Sequence, residues 1–139
     1  MTALDRELLA ERTAMLERHL ARVAERLPGS PDDMRPGADA TDVVTLHLWQ
    51  SVQLVIDLAL SACSDLRLGT PASYADAFLR LAGAGKLDPD LAQRLVRAAG
   101  LRNLVVHAYD SIDLARLHRA ATDGPRDLRA FLAVLRDLV

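Results

Sequence analysis

Residues 48–66 have the sequence LWQSVQLVIDLALSACSDL, and their apolar residues recur in alternating steps of four and three. The residues of this seam are Leu48, Val52, Val55, Ala59, Ala62 and Leu66. The spacing places one apolar stripe along a helix, and the alternation suits packing along a second long helix. Because Thr41 or Asp42 can cap such a helix, the stretch predicts a long helix that continues to about Leu68.

The segment before this helix shows the same periodicity. Its leucines and valines recur at helical spacing and predict a first amphipathic helix over about residues 4–27. The run Pro28-Gly29-Ser30-Pro31 ends that helix, and Pro36-Gly37 keeps the connection irregular to about residue 39. Two long helices joined by a short irregular link are therefore expected in the first half of the chain.

Two more helices are indicated after the break at residues 69–71. Ser73, with an acidic residue three positions later, predicts a short helix to about Leu81. Asp88-Pro89 is a strong start signal, because aspartate caps a helix and proline fits its first position. The apolar spacing from Leu91 onward predicts a fourth helix that includes residues 101–108.

The last thirty residues indicate two further helices. Asp110 or Ser111 can cap a short helix over residues 112–121. Gly124-Pro125 is expected to separate it from a final helix whose leucines recur at helical spacing. The prediction is one all-α domain over residues 1–139, an antiparallel bundle of four long helices and two short ones.

The composition agrees with an all-helical protein. Half of the 139 residues are hydrophobic but only 4% are aromatic, and the apolar residues are mostly alanine, leucine and valine. The lone cysteine, Cys63, cannot form an intrachain disulfide or a cysteine metal site and is expected in the core. The net charge of −2 argues against a general nucleic-acid coat protein, and no obvious basic stripe is visible in the sequence.

The expected location is the cytoplasm. The first residues are charged and contain no apolar signal core. No stretch is expected to provide the roughly 20 apolar residues that a transmembrane helix needs, so no membrane partner is expected.

Residues 101–109, LRNLVVHAY, hold the strongest candidate site, which we call the motif. On an ideal helix Arg102 and Tyr109 nearly eclipse, and Asn103 and His107 share a neighbouring face. Arg102 and His107 lie about 140° apart. They converge only if the arginine reaches round, if the helix ends near His107, or if a second copy of the motif lies opposite. A two-fold axis provides the last arrangement, so we expect a homodimer.

These residue types suit metal-free cleavage of RNA. Histidine exchanges protons near neutral pH, so His107 can serve the 2′-hydroxyl and the 5′-oxygen. The guanidinium of Arg102 can stabilise the added charge of the phosphorane. Asn103 can orient the imidazole or contact phosphate. The expected products are a 2′,3′-cyclic phosphate and a 5′-hydroxyl.

Each of these residues also has an ordinary structural interpretation. An arginine and a histidine five residues apart are common by chance, and helical tyrosines are usually half-buried packing residues. The other histidines, His19, His47 and His118, show no ligand-like pairing and are interpreted as structural. The motif by itself is therefore weak evidence of catalysis.

The motif resembles the Arg-x4-His-x-Tyr signature of HepT-type toxins in the HEPN superfamily. The resemblance covers most of residues 45–115, in matching order. It includes the sequence QLVIDLA at residues 53–59, TPASY at residues 70–74, GKL at residues 85–87, and the segment at residues 110–113. This extent makes the resemblance much stronger than the motif alone.

The resemblance implies a HEPN bundle that dimerises with its motifs facing each other. It implies a metal-independent endoribonuclease acting on tRNA or mRNA, without a cofactor, in which Arg102 and His107 are the catalytic pair and Asn103 is the polar residue after the arginine. It also implies a nucleotidyltransferase antitoxin of MntA type as partner. In such pairs the antitoxin transfers AMP to the tyrosine of the motif, here Tyr109, which puts negative charge where RNA phosphates bind.

Two alternatives are kept beside this hypothesis. The chain can be a HEPN binding module that partners a nucleotidyltransferase without cutting RNA. It can also be a helical dimer in which the motif only packs. Growth arrest that depends on Arg102 and His107 would distinguish the nuclease from both.

Overall fold

Five α-helices form most of residues 4–139, which are the residues that this computed structural model describes. They are α1 (Arg6–Arg26), α2 (Asp39–Asp65), α3 (Tyr74–Gly83), α4 (Pro89–Ala108) and α5 (Leu114–Leu138). Single 3₁₀ turns lie at Pro31–Asp33 and Tyr109–Ser111, and this range contains no strand. The predicted all-α bundle is confirmed. Residues 1–3, which the predicted domain included, lie outside the described residues.

Helix α2 packs at the centre of the bundle, in contact with each of the other four helices. All of its seam residues are buried except Leu66, which is half-buried, and Cys63 is buried beside them as expected. By length and mean hydropathy, 1.4 over its most apolar 18 residues, α2 could cross a membrane, contrary to the expectation that no stretch would be apolar enough. However, 56% of that window is buried inside the bundle, as in a core helix.

Local signals set the predicted starts of α3 and α4. Ser73 Oγ accepts the backbone N–H of Asp76 at 3.1 Å. Asp88 Oδ2 accepts the N–H of Leu91 at 3.0 Å, and Pro89 occupies the first turn. Both helix starts are confirmed, because each depends only on residues within one turn.

The predicted start of α2 is wrong by one turn. The helix begins at Asp39, after Ala38, which has no capping side chain. Thr41 already lies inside the helix, where its Oγ1 accepts the backbone N–H of Arg35 at 3.2 Å. Asp42 therefore does not cap the helix, and its carboxylate accepts a hydrogen bond from the motif instead.

The predicted division of the last segment into two helices is also wrong, because α5 is continuous through Gly124 and Pro125. Glycine before proline removes the Cβ against which the proline ring would press in a helix. The apolar stripe also keeps its phase across the proline, from Leu117 to Leu128, and both side chains are fully buried. The helix is capped by Asp113, which accepts the N–H groups of Ala115 and Arg116, not by Asp110 or Ser111.

Two of the histidines interpreted as structural, without ligand-like pairing, lie side by side. His19 on α1 and His47 on α2 lie with their Nδ1 atoms 3.0 Å apart, so one ring donates and the other accepts. Burial lowers the pKa of both rings. The charge of His47 lowers the pKa of His19 further, and the charge of Arg22 lowers that of His47 further. His118 donates from Nε2 to the carbonyl of Pro28 at 2.7 Å, which supports its structural interpretation.

Candidate active site

Arg102 is half-buried on α4, and three neighbours hold its guanidinium. Its Nε–H donates to Oε1 of Gln53 on α2 at 2.6 Å, and its terminal Nη1 donates to Oδ1 of Asn103 at 3.1 Å. The guanidinium carbon lies 5.2 Å from the centre of the Tyr74 ring at the start of α3. Cation–π attraction and the two hydrogen bonds thus fix this cation against α2 and α3.

The side-chain amide of Gln53 is oriented by the carboxylate of Asp57. Its Nε2 donates to Oδ1 of Asp57, one turn further along α2, at 2.9 Å. A guanidinium has only donors and a carboxylate has only acceptors, so the amide can satisfy both in one orientation alone. Asp57 therefore keeps the oxygen of Gln53 directed at Arg102.

These contacts leave much of the guanidinium available to a ligand. An arginine has five N–H donors, and among the described residues 4–139 only two of those of Arg102, the Nε–H and one Nη1–H, are engaged. A guanidinium can use two such donors, here on Nη1 and Nη2, for a bidentate contact with a phosphate. The site thus holds a fixed cation with unused donors.

His107 lies in the last turn of α4 and is exposed. Within residues 4–139 its imidazole forms no hydrogen bond, ion pair or ring contact. An offset of five residues places it about 140° round the helix from Arg102. One copy of the chain therefore joins Arg102 with Asn103, and the offset directs His107 away from Arg102.

Tyr109 follows the last residue of α4, and its hydroxyl donates to Oδ1 of Asp42 in the first turn of α2. Burial raises the pKa of this phenol, and the Asp42 carboxylate raises it further through the hydrogen bond and its charge. The phenol is therefore protonated at neutral pH and already bonded to a group that can accept its proton.

Large apolar side chains surround this end of the bundle and are exposed. Leu104, Val106 and Tyr109 show 37%, 43% and 39% of their surface, and Leu46, one turn after Asp42, shows 46%. The bond between Tyr109 and Asp42 joins the end of α4 to the beginning of α2. These apolar side chains therefore belong to one end of the molecule, which also holds the motif.

The sequence interpretation found the residues of the motif but missed the partners that position them. Gln53 and Tyr74 lay within the segments of resemblance but received no role, and Asp42 was interpreted as a cap. A contact between Arg102 and Gln53 spans 49 positions in the chain, and one between Tyr109 and Asp42 spans 67. Local spacing contains no signal for either contact.

Known proteins share both the sequence pattern and the fold of this chain. The family model described as "Ribonuclease HepT-like" matches residues 16–135. A protein of Shewanella oneidensis named mRNA nuclease HepT is 25% identical over 130 residues, covering 94% of this chain and 97% of that protein. A protein of Aphanizomenon flos-aquae named tRNA nuclease HepT is 30% identical over 114 residues, covering 81% of this chain and 77% of that protein.

Solved structures show the same architecture. The tri-AMPylated HEPN toxin of Shewanella oneidensis, in complex with its MNT antitoxin, superposes with a TM-score of 0.85 at 24% identity, covering 96% of this chain and 99% of the toxin chain. This likeness shows the HEPN fold. Together with the family match over residues 16–135, it leads to one conclusion: the chain belongs to the HepT-like ribonuclease family.

Proposed function

We propose that this chain is the toxin of a toxin–antitoxin pair, a metal-independent endoribonuclease that acts as a homodimer in the cytoplasm. The observation that carries the proposal is the guanidinium of Arg102, held by Gln53, Asn103 and Tyr74 with donors to spare. Membership of a ribonuclease family supports the same activity.

The proposed reaction needs a proton carrier and a fixed positive charge. The 2′-oxygen attacks the adjacent phosphorus as its proton leaves, and the bond from phosphorus to the 5′-oxygen breaks as that oxygen gains a proton. His107 exchanges these protons, and Arg102 binds the phosphorane oxygens through its free N–H groups. Asn103, bonded to Arg102, keeps the guanidinium in place. The products are a 2′,3′-cyclic phosphate and a 5′-hydroxyl.

The dimer supplies what one copy lacks. Arg102 and His107 diverge round α4, so a second motif across a two-fold axis would complete the set around one cleft. The exposed Leu46, Leu104 and Val106 support this arrangement, because they offer apolar contact area at the end of the molecule that holds the motif.

The proposed partner is a nucleotidyltransferase antitoxin, and the proposed acceptor of AMP is Tyr109. Support comes from the Shewanella oneidensis relative, a tri-AMPylated HEPN toxin in complex with an MNT antitoxin. The exposed Tyr109 sits two residues after His107, so adenylates added there would put phosphate charge beside the proposed cleft.

Purified dimer incubated with bulk tRNA and mRNA in EDTA tests the nuclease proposal. We expect cleavage without added metal and fragments that end in 2′,3′-cyclic phosphate and 5′-hydroxyl, which end-group analysis detects. A strict metal requirement contradicts the proposed chemistry. An intact dimer that cuts neither RNA favours the non-catalytic binding module or the structural helical dimer.

A second prediction concerns Asp42 in the transfer of AMP. As the Tyr109 oxygen attacks the α-phosphorus of a nucleoside triphosphate, pyrophosphate leaves and the phenolic proton passes to the Asp42 carboxylate. Because the phenol is protonated at neutral pH, Asp42→Asn should slow AMP incorporation by about 10²-fold. Incorporation of labelled AMP in the presence of the antitoxin measures the effect.

Asp39→Asn is the matched control, since Asp39 is an exposed carboxylate in the same first turn of α2. Tyr109→Phe should abolish incorporation while RNA cleavage continues. Transfer at the wild-type rate in Asp42→Asn would exclude Asp42 as the proton acceptor, and undiminished incorporation in Tyr109→Phe would place the acceptor elsewhere.

A further inference from the structure

A groove of about 350 Å³ lies between α4 and α5, and arginines line both of its sides. Arg94 and Arg97 come from α4, and Arg116, Arg119 and Arg126 come from α5. The floor is apolar and includes Leu48, Val52, Leu101 and Leu128. This groove, which we call the arginine groove, corrects the expectation that the chain has no basic stripe.

The charges of the arginine groove are unbalanced. Its lining contains five arginines and two aspartates, Asp123 and Asp127, so its formal charge is +3, whereas the whole chain carries −2. Asp127 is paired with Arg94 at 2.9 Å and lies 4.0 Å from Arg126. These contacts account for one carboxylate and two of the cations.

The other three arginines, Arg97, Arg116 and Arg119, are exposed. Within residues 4–139 their side chains form no hydrogen bond or ion pair. Cations that lie close together without partners repel one another, and a bound polyanion relieves this repulsion. Guanidinium groups also match the oxygens of a phosphodiester geometrically.

The arginine groove and the proposed active site share helices α2 and α4. Leu101 and Val52 line it, and the residues that follow them are Arg102 and Gln53, whose side chains bond to each other. Arg94 and Arg102 are about 12 Å apart along the axis of α4. Arg102 is also offset by about 80° round α4 from Arg94, so a strand that leaves the groove and bends round α4 would reach Arg102 within a few nucleotides.

We propose that the arginine groove binds the backbone of single-stranded RNA on one side of the scissile phosphodiester. The guanidinium groups contact phosphates, and the apolar floor receives unstacked bases. The proposal rests on the proposed nuclease function but assigns a surface outside the motif. It explains how an acidic chain holds RNA, because the required positive charge is concentrated in one groove.

The test compares two triple variants in the full-length dimer. Arg97, Arg116 and Arg119 are changed together to glutamine, and the matched control carries the same change at Arg6, Arg26 and Arg136, which are exposed and do not line the groove. Both are made in a His107→Gln background, so that RNA is bound without being cut. Circular dichroism and gel filtration verify the fold and the dimer.

We expect the groove variant to bind a single-stranded RNA oligonucleotide about 10- to 100-fold more weakly near 0.15 M salt. Three lost phosphate contacts should also reduce the slope of log K against log salt by about 2. The control should change both quantities much less, because its charges lie outside the groove.

Equal affinities and slopes in the two triple variants would overturn the proposal. If the groove variant loses the antitoxin and keeps the RNA, the groove is a protein-docking surface and the proposal is also wrong. Failure of the nuclease function gives a different result. If the protein with native His107 binds RNA through the groove but does not cut it, the proposed nuclease activity is wrong and the proposed RNA-binding role of the groove stands.

Discussion

Replacing His107 by glutamine should lower kcat for RNA cleavage by about 10²–10⁴-fold, the usual contribution of general acid–base catalysis. Glutamine retains a polar side chain of moderate size but cannot exchange a proton. The imidazole is exposed and forms no hydrogen bond, ion pair or ring contact within residues 4–139, so its loss should change stability by no more than about 0.5 kcal/mol. Single-turnover cleavage of an RNA oligonucleotide measures the effect.

His118→Gln provides the control for His107→Gln. His118 donates from Nε2 to the carbonyl of Pro28, and the glutamine amide can supply a replacement donor. The control should therefore cleave RNA at the wild-type rate. Full activity in His107→Gln would remove His107 from the mechanism, and a large loss of its thermal stability would reveal a structural role instead.

The second large effect is expected for Arg102→Lys, which should reduce kcat by about 10²–10³-fold although the positive charge is kept. A lysine is a point charge on a flexible stem and has no planar fork. It cannot bond to Gln53 and Asn103 and still present two parallel donors to a phosphate. We expect the loss in kcat more than in KM, because the charge on the phosphorane is greatest in the transition state.

The matched control is Arg129→Lys. Arg129 also donates two hydrogen bonds from its guanidinium, to the two carboxylate oxygens of Glu17 at 2.8 and 3.0 Å, but this exposed pair joins α5 to α1 and includes no residue of the motif. Replacing the paired guanidinium donors by a lysine in this exposed ion pair should leave cleavage unchanged. Equal activity of Arg102→Lys and Arg129→Lys would show that charge alone suffices at residue 102.

The two inactive variants can also be combined to test the shared cleft. A mixed dimer of one Arg102→Lys chain and one His107→Gln chain retains one native arginine and one native histidine, on different chains. Recovered cleavage on mixing means that the chains combine these residues across the interface. If mixing recovers no activity although mixed dimers form, each chain uses its own pair and the shared cleft is refuted.

The sequence predicted those parts of the fold that depend on neighbouring residues. The starts at Ser73 and at Asp88-Pro89 follow from capping within one turn, and the seam of α2 follows from its spacing. The break at Gly124-Pro125 was predicted from the same local rules and was wrong. There the burial of Leu117 and Leu128 on one continuous stripe outweighs the cost of a proline in a helix.

The candidate site divides in the same way. Arg102, Asn103, His107 and Tyr109 lie within nine residues, so their order could be read directly. The groups that orient them belong to α2 and α3 and approach only when the helices pack. The arginine groove was missed for the same reason, because its cations are spread over 33 positions between Arg94 and Arg126 and share a surface only in the folded chain.

The anchoring of Arg102 has a consequence for assembly. Gln53 and Tyr74 restrain the side chain of Arg102 within a single subunit. The rotamer entropy of this arginine, up to about 2 kcal/mol, is therefore lost when the chain folds and not when two subunits associate in the proposed dimer. Newly made subunits would then associate with their guanidinium groups already in working positions. Activity would follow the concentration of dimer directly, with no slow rearrangement between encounter and the first cut.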